Sequence, residues 1–106
     1  FVDFLHEVFA DFGTISSRKM FGGHGIYHDG IMIALVADDT LYLKADATTE
    51  KLFIDYDLKP FEYDKGDKKI KMSYYLAPEE IYDDPEAASY WANLAYEAAI
   101  RTKSKK

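Results

Sequence analysis

Arg18-Lys19-Met20-Phe21-Gly22-Gly23-His24-Gly25-Ile26-Tyr27 decides how the chain is read, because three glycines interrupt an otherwise strand-like apolar run. Glycine packs no side chain, yet it admits a bulge, a positive φ or very close approach by another element. The stretch therefore predicts one deformed strand over roughly residues 17–27. It also predicts that Gly22, Gly23 and Gly25 serve structure, with something lying directly against their backbone.

Working outward, Phe1, Leu5, Val8, Phe9 and Phe12 recur at helical spacing opposite Asp3, His6, Glu7 and Asp11, which predicts an amphipathic helix over residues 2–12 ended by Gly13. On the other side, His28-Asp29-Gly30 is a tight reversal with Gly30 as its permissive residue. Ile31–Val36 is apolar at every position and predicts a central strand covered on both faces. Leu41–Lys44 alternates as a third strand after the turn at Ala37–Thr40. Asp46 can cap a short helix over residues 47–55. Phe61–Tyr63 and Lys68–Tyr75 form a second antiparallel system around Asp64–Asp67, with Ile70, Met72 and Tyr74 on one side and Lys69, Lys71, Ser73 and Tyr75 on the other. A short helical turn at Pro78–Ile81 precedes Asp84-Pro85, which opens a helix through residue 101. Its face of Ala87, Trp91, Leu94, Ala95 and Ala98 is small except for Trp91, the expected core anchor. The order is helix, three strands, helix, two strands, helix: an α+β fold with an antiparallel sheet and helices mainly on one side.

A length of 106 residues accommodates one core, expected over residues 1–101, with 102–106 as a flexible basic tail. The net charge of −6 disfavours general phosphate-backbone binding. With no cysteine, thiolate catalysis, disulfides and Cys-based zinc sites are excluded, which fits a cytoplasmic setting. No apolar stretch reaches transmembrane length, so no membrane association is expected. Sixteen per cent of residues are aromatic, enough either to fill a leucine-poor core or to form a tyrosine-bearing surface.

No complete catalytic constellation is present. Gly22-Gly23-His24-Gly25 lacks the lysine and hydroxyl residue of a phosphate-binding loop. His24 and His28 on an extended backbone stand roughly 13 Å apart, too far for one metal centre. Asp38-Asp39 and Asp83-Asp84 fit turns and caps better than paired acid/base groups. Hence no catalytic residue, metal or cofactor is expected. Arg18, Lys19, His24, Lys44, Lys71 and Tyr74 form the candidate ligand or partner patch, provided strand register gathers them on one face. With three helices for five strands, the uncovered face is expected to meet a second copy through Tyr27, Met32, Tyr42 and Tyr75, making a homodimer.

The run Arg18–Tyr27, followed by Asp29-Gly30, Leu41-Tyr42-Leu43-Lys44, Pro60-Phe61-Glu62-Tyr63, Met72-Ser73-Tyr74-Tyr75 and Pro78-Glu79-Glu80, resembles the N-terminal domain of the TfoX family. The resemblance runs from the first helix to the helix containing Trp91, and is to a stand-alone single-domain member. It implies the same order of helices and strands, similar to secretion-chaperone folds. The best-known family members regulate natural competence, so the resemblance implies a non-enzymatic regulatory or protein-interaction module with a protein partner. A small anionic-ligand-binding protein or an enzyme is the alternative. The family supplies no catalytic residues to carry over to this chain.

Overall fold

The computed structural model describes residues 1–20 and 22–104; Phe21, Lys105 and Lys106 lie outside the described residues. Helix α1 spans Val2–Val8 and buries Leu5 and Val8. It is shorter than its apolar spacing predicts, because the chain leaves helical geometry at Phe9, whose carbonyl then accepts the Gly13 N–H at 3.0 Å.

The glycine-rich stretch is two strands, not one. Strand β1 (Ser16–Met20) pairs antiparallel with β2 (Gly23–His28), Met20 opposite Gly23, with Gly22 at φ +77° between them. That left-handed conformation is what glycine adopts without a steric cost, so the doublet makes a hairpin where sequence alone suggested a bulge. The expected close approach falls at Gly23, where an added Cβ would overlap the Val36 carbonyl oxygen.

Strands β3 (Ile31–Ala37), β4 (Thr40–Lys44), β5 (Pro60–Lys65) and β6 (Lys68–Leu76) complete a six-stranded antiparallel sheet in the order β1-β2-β3-β4-β6-β5. The apolar β3 is an inner strand, flanked by β2 and β4. After β4 the chain passes through α2 (Glu50–Asp55) to the far edge as β5, then returns as β6 to fill the place beside β4. A 3-10 turn at Glu79–Tyr82 leads to α3, Pro85–Ser104. The Asp84 carboxylate accepts the backbone N–H groups of Glu86 at 3.0 Å and Ala87 at 3.4 Å, satisfying donors the first turn leaves open. Residues 102–104, expected in a flexible tail, are the last turn of α3. No described helix is long and apolar enough to cross a membrane.

Register separates the two faces. Ile26 lies opposite Ala34, which lies opposite Leu43, which lies opposite Tyr75, and all four belong to the buried core with Leu5, Phe53, Ala88, Trp91 and Ala95 from the helices and Phe9 just past α1. The helices therefore cover this face. A bulge in the β2–β3 pairing turns Ile33 as well as Ala34 into the core. Trp91 is 1% exposed, its ring 5.2 Å from Phe53 and 5.3 Å from Tyr56. Beside it the helix presents Ala88, Ala92 and Ala95, small enough for close seating on the sheet.

Candidate functional site

The opposite face of the sheet lies outside the helix-packed core, bordered by the last turns of α3 beside Lys44 and Tyr74. Alternation from the paired register puts Arg18, Tyr27, Met32, Leu35, Tyr42 and Lys44 there, together with Tyr74 and Leu76 of β6. Phe61 of β5 joins them, its ring edge-on to Tyr42 at 5.0 Å, and Tyr63 follows at 6.4 Å. An aromatic band thus crosses the sheet from β2 to β5. Leu35 and Tyr74 are each only 8% exposed, whereas Tyr27, Met32, Tyr42 and Phe61 are half-buried and Tyr63 is exposed.

Cations lie on the rings. The Arg18 guanidinium stands 5.2 Å from the Tyr27 ring centre, and the Lys44 ammonium 5.0 Å from that of Tyr74. Burial lowers the Lys44 pKa, an effect Asp46 partly opposes. Burial pushes the Tyr74 phenol up to about 12, helped by Tyr27 nearby. Neither shift creates an acid/base pair for chemistry near neutral pH, because Lys44 is turned toward a ring and Tyr74 is held neutral.

The six residues expected to form one ligand patch divide between the faces. Arg18, Lys44 and Tyr74 are on the helix-free face, while Lys19 pairs across from His24 on the other, at the β1–β2 end of the sheet. Lys71 also lies on the helix-covered side, its ammonium 5.8 Å from the Tyr75 ring. The period of two decides this separation: neighbours in sequence, such as Arg18 and Lys19, point opposite ways.

Of the four expected interface residues, Tyr27, Met32 and Tyr42 share the helix-free face. Tyr75 does not, and this is a correction: it is 1% exposed within the core, stacked on Phe53 at 5.3 Å, and its hydroxyl donates to the Glu50 carboxylate at 2.9 Å. Burial and that hydrogen bond raise its pKa. Phe61, Leu35 and the terminal lysines Lys65 and Lys68 were missed as members of the open face. The matched alternation of Phe61-Glu62-Tyr63 with Ile70-Lys71-Met72 carries the signal for Phe61 and Tyr63, once β5 is known to pair with β6.

Elsewhere the surface offers little chemistry. A shallow depression of about 380 Å³ lies where the start of β3 and the end of β4 meet the last turns of α3, lined by Met32, Lys44, Tyr74, Thr102 and Lys103 among others. A second, of about 440 Å³, lies along Lys19, Met20 and Gly22–His24. His28 is a packing residue: Nδ1 is 2.8 Å from the Thr14 carbonyl oxygen, and its ring lies 4.5 Å from Phe12 and 5.0 Å from Tyr96. Among the described residues, no three histidine or acidic groups are placed to hold a metal ion.

Among the described residues, the shortest ion pair is structural. Arg101 of α3 donates through Nε at 2.6 Å and Nη2 at 3.1 Å to both carboxylate oxygens of Asp46, just beyond β4. Asp46 also accepts the backbone N–H groups of Thr48 and Thr49, which starts the turn into α2. The Arg101 hydrogen bond is the main reason its carboxyl is held below the usual range. This clamp ties together β4, α2 and the end of α3.

Protein Sxy of Escherichia coli (strain K12) is 26% identical over 98 residues, which cover 92% of this chain and 47% of that protein. The chain thus spans about half the length of the curated relative it matches. Residues 7–99, from the end of α1 to near the end of α3, match the TfoX N-terminal domain, and on that match the chain belongs to the TfoX N-terminal domain family.

Proposed function

We propose that the protein is a regulatory protein-interaction module that works through the helix-free face of its sheet. The observation that carries this reading is the half-buried aromatic band of Tyr27, Tyr42 and Phe61, left uncovered by all three helices. An extended apolar patch of this sort marks a docking surface more often than a catalytic cleft. Membership of a family whose best-known members regulate competence supports the regulatory part, and a cysteine-free chain supports a cytoplasmic setting.

Two occupants satisfy the apolar area alone: a regulatory partner, or a second copy meeting it through Tyr27, Met32 and Tyr42. Affinity isolation from native cells, followed by mass spectrometry, tests the module. Wild type is expected to retain specific proteins that Tyr42→Glu loses and Tyr90→Glu, altered on the exposed side of α3, keeps. No reproducible partner, or equal retention by Tyr42→Glu, would defeat the reading. Sedimentation equilibrium over a broad concentration range tests the second copy, and a single 12.2 kDa species throughout would remove it.

A further inference from the structure

The helix-free face differs from the rest of the molecule in charge. The protein carries −6 overall, yet register and alternation place Arg18, Lys44, Lys65 and Lys68 on this face and no strand carboxylate beside them. Glu62 and Asp64, the acidic residues of β5, point the other way. Of the acidic residues outside the strands, Asp46 just past β4 acts on Lys44 but is bound by Arg101, Asp29 pairs with His28, and Asp38, Asp39 and Asp67 sit in turns at the strand ends.

From this charge complementarity we infer that the occupant of the helix-free face is an acidic protein segment whose apolar side chains cover the Tyr27–Tyr42–Phe61 band while its carboxylates reach Arg18 and Lys44. The inference rests on the docking role proposed above and names the partner's chemistry. A second copy docked face to face would bring a cation-only strand surface against another, with no carboxylate on either to pair. Single-stranded nucleic acid shares the preference for cations and rings, but it stacks its bases on free ring faces. Here Arg18 covers one face of Tyr27 and Lys44 one face of Tyr74, the Tyr74 ring is buried and Tyr27 half-buried, and Tyr42 meets Phe61 edge-on. The cations keep N–H donors for carboxylates while their rings help hold them in place. The acidic turns confine the partner's carboxylates to the area above the strands.

A photo-crosslinking amino acid placed at Tyr42 in the native cell, with a control at Tyr90, tests this. Crosslinked peptides identified by mass spectrometry are expected to come from Tyr42 and to converge on a segment of net negative charge with interspersed apolar residues. Yield should fall about tenfold in Arg18→Glu/Lys68→Glu, both exposed positions whose reversal leaves the core untouched, and stay unchanged in Lys71→Glu on the other face. Thermal unfolding of each variant confirms that it folds. Crosslinks to another copy of this chain, to nucleic acid, or to a segment without net negative charge would overturn the acidic occupant while leaving a docking face in place. Crosslinking at Tyr42 no greater than at Tyr90 would overturn the docking face, and this inference with it.

Discussion

On the helix-covered face, Ile26, Ala34, Leu43 and Tyr75 are sealed by side chains from all three helices. On the other face, Leu35 and Tyr74 reach 8% exposure outside the helix-packed core, Tyr74 shielded by Lys44 where the last turns of α3 come alongside the sheet. The first face is dry because a second layer covers it. The second is dry only in patches, where long side chains lie down across a twisted sheet and their stems exclude water. Stability should therefore depend mainly on the first face, and recognition on the second.

The largest expected effect breaks the first face. Trp91→Ala removes the indole between Phe53 and Tyr56 and should cost roughly 3–5 kcal/mol in denaturant unfolding. A loss below about 1 kcal/mol would show that the alanine-rich helix seats without its anchor.

Alkaline titration sharpens the contrast by asking how dry the second face is. Tyr74 has a pKa raised above its unfolded value, so its contribution to stability is complete below about 10 and is lost as pH rises through about 12. Phenolate absorbance should show a component titrating near 12 that is diminished in Tyr74→Phe. Titration of every tyrosine near 10 would mean that the strand side chains do not exclude water there.

Gly23→Ala probes the hairpin that joins the faces at their outer end. The new methyl group would overlap the Val36 carbonyl, forcing β2 away from β3, at a cost of about 1–3 kcal/mol. Unchanged stability would show that this edge yields freely.

Arg101→Ala should be milder, about 1 kcal/mol, because the guanidinium is partly exposed and solvent screens the pair. Its pH signature is specific. The Asp46 carboxyl has a folded pKa below its unfolded one, so the clamp contributes fully above the ordinary Asp range and is lost as pH falls through the lower folded value. Acid unfolding of wild type should be steeper there than that of Arg101→Ala.

Smallest of all, Tyr42→Ser on the open face should change stability by less than about 1 kcal/mol, losing one edge-on contact with Phe61. A larger loss would show that the aromatic band supports the fold itself and would weaken its reading as a recognition surface.

Much of the architecture was legible in local pattern. The helical spacing of Leu5, Val8 and Phe9, the Asp29-Gly30 reversal, the wholly apolar β3 and the Asp84-Pro85 start of α3 each rest on interactions within a few residues. The glycine doublet was misread as a deformity within one strand, because a bulge and a hairpin turn both need a residue free to take positive φ, and composition does not distinguish them. The candidate site was less legible. Alternation within β6 correctly parted Tyr74 from Tyr75, but which of the two faced the helices depended on whether β6 pairs with β4, a choice made far along the chain.

The sequence by itself determined the Asp29-Gly30 turn, the Asp84-Pro85 start of α3 and the alternation of each strand, since these follow from backbone freedom, capping and side-chain period. Only the tertiary structure decided which side of each strand joined which side of the next. Inserting β6 between β4 and β5 buried Tyr75 beneath α2, left Tyr74 beside Lys44, and gathered Arg18, Lys44, Lys65 and Lys68 on one face of an acidic protein. That outcome turns on register between segments distant in the chain, where a shift of one residue would send every side chain of a strand to the opposite face.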